Sequence, residues 1–492
     1  MAGKFNKTKT PAQPNAVTYE GGDAFEKSLE QDWLNNLFSN MLENRFYESG
    51  DEQMNRYIQL TQKMLEKYGA KFVGRAAYFA RNSLGMRSIS QLTAAMLNSV
   101  QFEGKRDFFK NYMKRPDDVS EIFAIVESLG DKRSHALVRG AGDYISGLSA
   151  YQMDKYAMRR KNWSMIDLIN VTHAKGDVVD KFYNGVLEKA DTWEQKISAS
   201  KDEDEKNANW QELVEGGKLG YLALIRNLNN ILNAGVNEDW IVSYLVPQLT
   251  NADKIHKSLV FPYQIYTAYK NLEVREVNTC FALDKAFRES VKNVPGLDGT
   301  SLVVLDVSYS MGDCISGRST MTIKEVCACY AAAIYLSNPN SEFIKFGSYA
   351  KRCHYNRLDS VFTLINKMQD NEHCGYGTDI LPVWKMLDQH YDRVFLFSDM
   401  QVMGSRCSWR WTYNDDIAID AINAMNEYMR RYGRTRVYSF DLGNYSTQIS
   451  NPQRGDLTML TALNDKVFQM LSILEQGGNI VDYINTHYAN VC

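Results

Sequence analysis

A chain of 492 residues is too long for one ordinary hydrophobic core and predicts two or three domains. Charged residues at 23% and hydrophobic residues at 44% are ordinary globular proportions, and a net charge of −3 excludes a global basic field advertising nucleic acid. No apolar run approaches the roughly 20 residues a membrane-spanning helix needs, and the opening MAGKFNKTKTPAQPN has no apolar centre of a secretory signal, so a cytoplasmic monomer without membrane contact is expected.

Residues 1–18 are polar, carry Lys4, Lys7, Lys9 and two prolines, and predict a flexible arm. From 19 to 294 apolar residues recur at three- and four-residue spacing, as in Trp33-Leu34-Leu37-Phe38 and Phe72-Ala76-Phe79-Ala80, which predicts helices throughout. Polar breaks at Ser83-Leu84-Gly85, Arg115-Pro116-Asp117 and Gly140-Ala141-Gly142 predict hairpins stacked as an α-solenoid, although no crisp repeat period is visible. The run Lys201 to Lys206 reads as a solvated loop.

The near-neutral total hides a local excess. Between 71 and 115 stand Lys71, Arg75, Arg81, Arg87, Lys105, Arg106, Lys110, Lys114 and Arg115 against two acids, Glu103 and Asp107, with seven aromatic residues interleaved. A second group follows at Lys132, Arg133, Arg139, Lys155, Arg159, Arg160 and Lys161, with Trp163, His173 and Lys175 downstream. Cations at helical spacing can track a phosphate backbone and aromatic planes can stack on unpaired bases. The same residues also suit plain solvated surface and core, so RNA binding and a structural role both stand on charge alone. On charge, Arg75, Arg81, Arg87, Lys110, Lys114, Arg115, Lys155, Arg159, Lys161 and Lys175 are candidate RNA contacts.

Val294-Pro295-Gly296 marks a boundary, and 295–492 reads as alternating strand and helix: strands at 302–307, 342–346, 392–398 and 435–441, helices at 319–336, 378–389 and 415–432. That alternation predicts a parallel, doubly wound α/β sheet. The first strand ends in Asp306-Val307-Ser308-Tyr309-Ser310, Thr378-Asp379 follows, and Asp399 ends the run Val394 to Ser398. Two acids at the tips of core strands, with Ser308, Ser310 and Thr378, form an all-oxygen set suited to a divalent cation, Mg²⁺ first, while turn capping by the same short side chains is the bland alternative. All eight cysteines lie from Cys280 onward without C-x-x-C pairs, so no zinc site is expected.

Asp306, Ser308, Ser310, Thr378 and Asp399 together resemble the metal-ion-dependent adhesion site of von Willebrand factor A domains. Tyr156 to Ser164, running on to Asp167-Leu168 and His173, and Leu222 to Leu228, resemble the TROVE module. In that order the two resemble the Ro autoantigen family and its bacterial and phage relatives. The resemblance implies a ring of HEAT-like repeats closed by the A domain, with no catalytic activity. It further implies small noncoding Y-like RNA on the outer surface, single-stranded ends of misfolded RNA in a central channel, and an exoribonuclease partner such as polynucleotide phosphorylase. The family's Y-RNA patch falls on Arg160 and His173; the basic position expected four residues before Arg160 is Tyr156 here, beside Lys155. A second reading is a metal-dependent interaction module that recruits an acidic partner. An enzyme ranks last, since no nucleotide loop, Ser-His-Asp or Cys-His arrangement appears.

Overall fold

The computed structural model describes residues 14–19, 21–39, 47–157, 163–189, 192–258, 260–292, 294, 296–315, 319–402, 417–443, 445–448, 457–460, 470–471, 474–475 and 479–491. From Leu29 to Val291 these residues are almost entirely helical. The long helix Gly50–Tyr78 opens with a reciprocal cap, in which Ser49 Oγ accepts from the Glu52 N–H and the Glu52 carboxylate accepts from the Ser49 N–H at 2.9 Å; it kinks at Gly69, whose φ of 77° an L side chain would resist. Helix Pro116–Ser128 starts at the predicted Arg115-Pro116 break, with proline in the first turn.

Two expectations in this region fail for local reasons. Gly140-Ala141-Gly142 is no break but the middle of helix His135–Ser146. A Cβ on Gly140 would lie 2.6 Å from the Arg106 carbonyl oxygen, and one on Gly142 2.8 Å from that of Thr172, so these glycines admit neighbouring backbones rather than end a helix. The acidic run is no loop either. Asp202 caps helix Glu203–Glu215 by accepting from the Glu205 N–H at 2.8 Å, and Glu203, Asp204 and Glu205 occupy the first turn, where carboxylates favour the helix dipole.

The second region is built on six strands: β3 (Ser301–Asp306), β4 (Ser341–Phe346), β5 (Ala350–Cys353), β6 (Arg393–Phe397), β7 (Arg436–Phe440) and β9 (Leu457–Leu460), in the order β5-β4-β3-β6-β7-β9. All neighbours pair in parallel except β5, which runs antiparallel to β4, so the predicted all-parallel sheet is corrected to a mixed one with an antiparallel edge. The helix expected over 378–389 shortens to Leu381–Met386, leaving Thr378 and Asp379 in the loop before it.

The arm expected over residues 1–18 is corrected from residue 14 onward. β1 (Ala16–Val17) and β2 (Asp23–Glu26) form a small antiparallel sheet with β8 (Thr447–Gln448), and Thr18 Oγ1 donates to the Val402 carbonyl at 2.6 Å. Residues 1–13 lie outside the described set.

The helical array meets the sheet region at both its ends. At the first, Phe79 packs on Tyr488 with ring centroids 5.4 Å apart, and the Arg75 guanidinium donates to Asn485 Oδ1 and to the Ala489 carbonyl. At the second, Tyr269 stacks on Phe362 at 3.7 Å, and Asp284 accepts from Ser360 Oγ and from the Val361 N–H, supplying a cap that helix Val361–Gln369 lacks of its own. Among the described residues no helix is long and apolar enough to cross a membrane.

Candidate functional site

Asp306 closes β3 at the centre of the sheet, and β6 lies beside it in register, Leu305 opposite Phe397, so that Asp399 emerges two residues past the same edge. Ligand sites in open α/β sheets form outside these carboxyl ends. The Thr378 loop is drawn to the same place by the Tyr309 N–H, which donates to the Tyr376 carbonyl at 2.9 Å. Asp306, Ser308, Ser310, Thr378 and Asp399 are all buried, the two acids at 0% and 1% exposure.

Asp306 Oδ1 accepts from the Ser308 N–H at 2.9 Å and Oδ2 from the Ser398 hydroxyl at 2.7 Å. Asp399 Oδ1 accepts from the Gln401 N–H at 3.1 Å, while Asp399 Oδ2 and Ser308 Oγ are buried with no partner among the described residues. Burial first, then the charge of Asp306, pushes the Asp399 carboxyl far above the carboxylate range; burial raises Asp306 too, against hydrogen bonds from Ser308 and Ser398. Two repelling buried acids and an orphaned hydroxyl leave oxygen donors unsatisfied. One or two carboxylates with hydroxyls and waters is the set Mg²⁺ prefers over an all-protein cage, and no group of three His, Cys, Asp or Glu forms among the described residues.

Several neighbours were not singled out in the sequence. Ser398 orients Asp306, and Lys324 is the cation acting on it. Asp441 stands beside Asp399 but is neutralised by Lys27 at 2.6 Å, both side chains fully buried. Gly443 admits Asp399 itself, since a Cβ there would lie 2.9 Å from the Asp399 Cβ. Around this centre three tyrosines on three loops stand in solvent: Tyr309 at 68%, Tyr349 at 67% and Tyr376 at 69% exposure.

The basic candidates divide sharply. Arg159, Arg160 and Lys161 lie outside the described residues. Arg81 is corrected: at 3% exposure it is clamped on Asp118, Nη2 to Oδ2 at 2.8 Å, and is part of the core. Arg75 holds the C-terminal helix, Lys114 Nζ donates to the Asn82 carbonyl at 2.7 Å, and Lys155 pairs with Glu194 at 3.0 Å. Arg87 and Arg115 share one carboxylate, Asp117, at 2.7 and 3.0 Å. The interleaved Phe72, Phe79, Phe108, Phe109 and Tyr112 are buried and cannot stack on bases.

What remains is a face on helices Lys105–Tyr112 and His135–Ser146. Arg106, Lys110 and Arg139 all act on one acid, Asp143, whose carboxyl the Arg106 hydrogen bond holds below its ordinary value. The Lys175 N–H donates to Ser146 Oγ at 3.0 Å and so attaches the next turn to this face. His173, exposed, caps helix Met165–Thr172 in the left-handed region at φ 54° rather than lying within the helix, and Lys175 is exposed beside it. Arg106 and Arg139 were counted among the basic residues but not singled out; only the packing of their two helices brings them together.

Residues 185–286 match the family model described as the TROVE domain. "Telomerase protein component 1" of Rattus norvegicus is 28% identical over 87 residues and that of Mus musculus 28% over 90, each match covering 18% of this chain and 3% of the relative's length. Among solved structures, the Ro (Rsr) protein of Deinococcus radiodurans superposes with a TM-score of 0.62 at 16% identity, over 91% of this chain and 100% of that one.

Proposed function

Starting from a chain that carries a TROVE domain on the fold of a Ro protein, we propose a non-catalytic RNA-binding ribonucleoprotein scaffold. The observation that carries it is the balance of one face, where Arg106, Lys110 and Arg139 stand against the two acids of their helices, Asp107 and Asp143, with His173 and Lys175 exposed beside them. Such a surface binds polyanions by releasing their counterions. The finer reading follows the resemblance: a Y-like small RNA held on this outer face together with Arg159, Arg160 and Lys161, single-stranded ends of misfolded RNA entering a central channel, and an exoribonuclease as partner. An array anchored on the sheet region at both ends supports a closed ring.

The test is fluorescence anisotropy of a stem-bearing small RNA between 50 and 200 mM salt. Log affinity should fall steeply with log salt, and Arg106→Ala, Lys110→Ala and Arg139→Ala combined should flatten that slope by about 2 to 3, near 0.9 for each phosphate no longer neutralised. A slope unchanged by the triple substitution removes this face from the function.

A second reading concerns the sheet region. Asp306, Asp399, Ser308, Ser310 and Thr378 would hold a divalent cation, Mg²⁺ by chemistry, whose open position accepts a carboxylate from an acidic protein partner. The three exposed tyrosines favour it, because rigid amphipathic rings around a polar centre supply contact area at low entropic cost. Capture of such a partner should be lost with chelator and with Asp306→Ala; capture surviving both refutes it.

A further inference from the structure

The residues of the candidate metal centre are not all held from the same place. Asp306 is fixed within the sheet region, by the Ser308 N–H and the Ser398 hydroxyl. Asp399 sits instead at a corner that the first described residues of the chain grip. Its successor Met400 takes φ 62°, in the left-handed region that an L side chain resists, so the corner keeps its shape only with support from its surroundings.

Two routes bring that support from the segment around β1 and β2. In the first the buried Gln401 amide is the link: its Oε1 accepts from the Tyr19 N–H at 3.0 Å and its Nε2 donates to the Asp399 carbonyl at 3.3 Å, while the Gln401 N–H holds Asp399 Oδ1. Thr18 Oγ1, which donates to the carbonyl of the next residue, Val402, itself accepts from the Gly22 N–H at 2.9 Å. In the second, Lys27 Nζ grips Asp441, whose Oδ1 accepts from the Gly443 N–H at 3.0 Å, and Gly443 is the residue against which the Asp399 side chain packs. Tyr19 stacks on Tyr47 at 5.2 Å, and both rings meet Tyr445 edge to face at 5.5 and 5.4 Å, fastening the segment to the stretch that leads into β8.

Both routes end on Asp399, so the placing of one acid against the other depends on Tyr19, 382 residues before Gln401 in sequence. Helix Leu29–Ser39 follows β2 directly, and the segment therefore joins the metal centre to the first helix of the array. Holding the corner in the geometry a cation needs lowers the cost of closing the site around it, and by reciprocity a bound cation strengthens the hold by the same factor. We propose that this N-terminal segment is part of the metal centre: Thr18, Tyr19 and Lys27 are positioning residues for Asp399, and cation binding is coupled to the docking of the segment.

The inference rests on the cation reading, and the experiment separates the two. Hydrogen exchange of the full chain is followed by mass spectrometry in Mg²⁺ and in chelator, beside calorimetric titration with Mg²⁺. The Thr18, Tyr19, Gly22 and Lys27 amides all donate within this segment or across to its partners. Saturating Mg²⁺ should slow their exchange at least about 5-fold, the low end of ordinary coupling between sites, and leave helix Pro262–Lys270 unchanged. Thr18→Val combined with Tyr19→Ala alters no cation ligand and should weaken Mg²⁺ binding at least about 5-fold, whereas Val17→Ala, on the exposed side of β1, should not. A segment with a merely structural role would exchange at one rate with and without Mg²⁺. That result, or equal Mg²⁺ affinity in the parent and the double variant, overturns the coupling alone. Absence of Mg²⁺ binding by the unsubstituted chain overturns the cation reading and this inference with it.

Discussion

Two sets of carboxylates are buried in this molecule, and the protein treats them in opposite ways. In the helical region Asp118, at 0% exposure, is fully answered: Arg81 clamps it, Gln91 Nε2 donates at 2.7 Å, and the N–H groups of Lys114 and Arg115 at 3.1 and 2.9 Å. In the sheet region Asp306 and Asp399 are as deeply buried, yet among the described residues neither has an ion pair, Lys324 acts on Asp306 by charge alone, and one Asp399 oxygen has no partner. A buried charge costs several kcal/mol unless compensated, so a structural acid comes with its cation. An acid left uncompensated at a strand tip holds a penalty that a divalent ion can relieve. Asp441 shows the alternative one step away, since the same environment accommodates an acid quietly once Lys27 reaches it.

The contrast can be broken first where it is steepest. Arg81→Met strands Asp118 in the core and should cost about 3 to 5 kcal/mol, read as a lowered urea midpoint; a midpoint within error of the parent would show that Asp118 needs no cation. Asp399→Asn should behave the opposite way, neutral or stabilising in chelator because it relieves repulsion. With Mg²⁺ at about 100 times its Kd the parent should gain about 2.7 kcal/mol and this variant nothing. If the variant gains as much, the acid pair is not the metal site. Gly140→Ala tests the close crossing of helices beneath the basic face: the gain in helix propensity should be outweighed by the clash with the Arg106 carbonyl, for a net loss of about 1 to 3 kcal/mol in thermal unfolding. The smallest effect concerns Asp143. Its carboxyl is held below 3.8 mainly by the Arg106 hydrogen bond, so it stabilises the fold above that pH and loses this as the pH falls through the lowered value. Arg106→Ala should make the acid limb of the pH-stability curve slightly shallower, and an unchanged limb would mean the surface pair contributes nothing.

Legibility in the sequence followed the range of the interaction. The strands carrying Asp306 and Asp399 are contiguous apolar runs, visible without any partner, and the motif oxygens sit beside them. β5 escaped notice because Ala350-Lys351-Arg352-Cys353 is a polar edge strand, half-exposed along its length, with no hydrophobic signature. Gly140-Ala141-Gly142 looked like a turn because glycine is ambiguous: the same absence of a side chain permits a bend or a close helix crossing, and only the neighbour at 2.6 Å decides. Arg81 reads as a candidate RNA contact because nothing local marks an arginine whose acid lies 37 residues away. The Lys27 to Asp441 pair, 414 residues apart, has no sequence signal at all.

The double attachment of the helical array has one more consequence. Stacked helical repeats ordinarily melt from their outermost members inward, and chains built this way carry special polar terminal repeats to slow the process. Here Phe79, just beyond the long helix Gly50–Tyr78, leans on Tyr488, and Tyr269 in helix Pro262–Lys270 leans on Phe362. Fraying that reaches these helices must first break a contact with the sheet region.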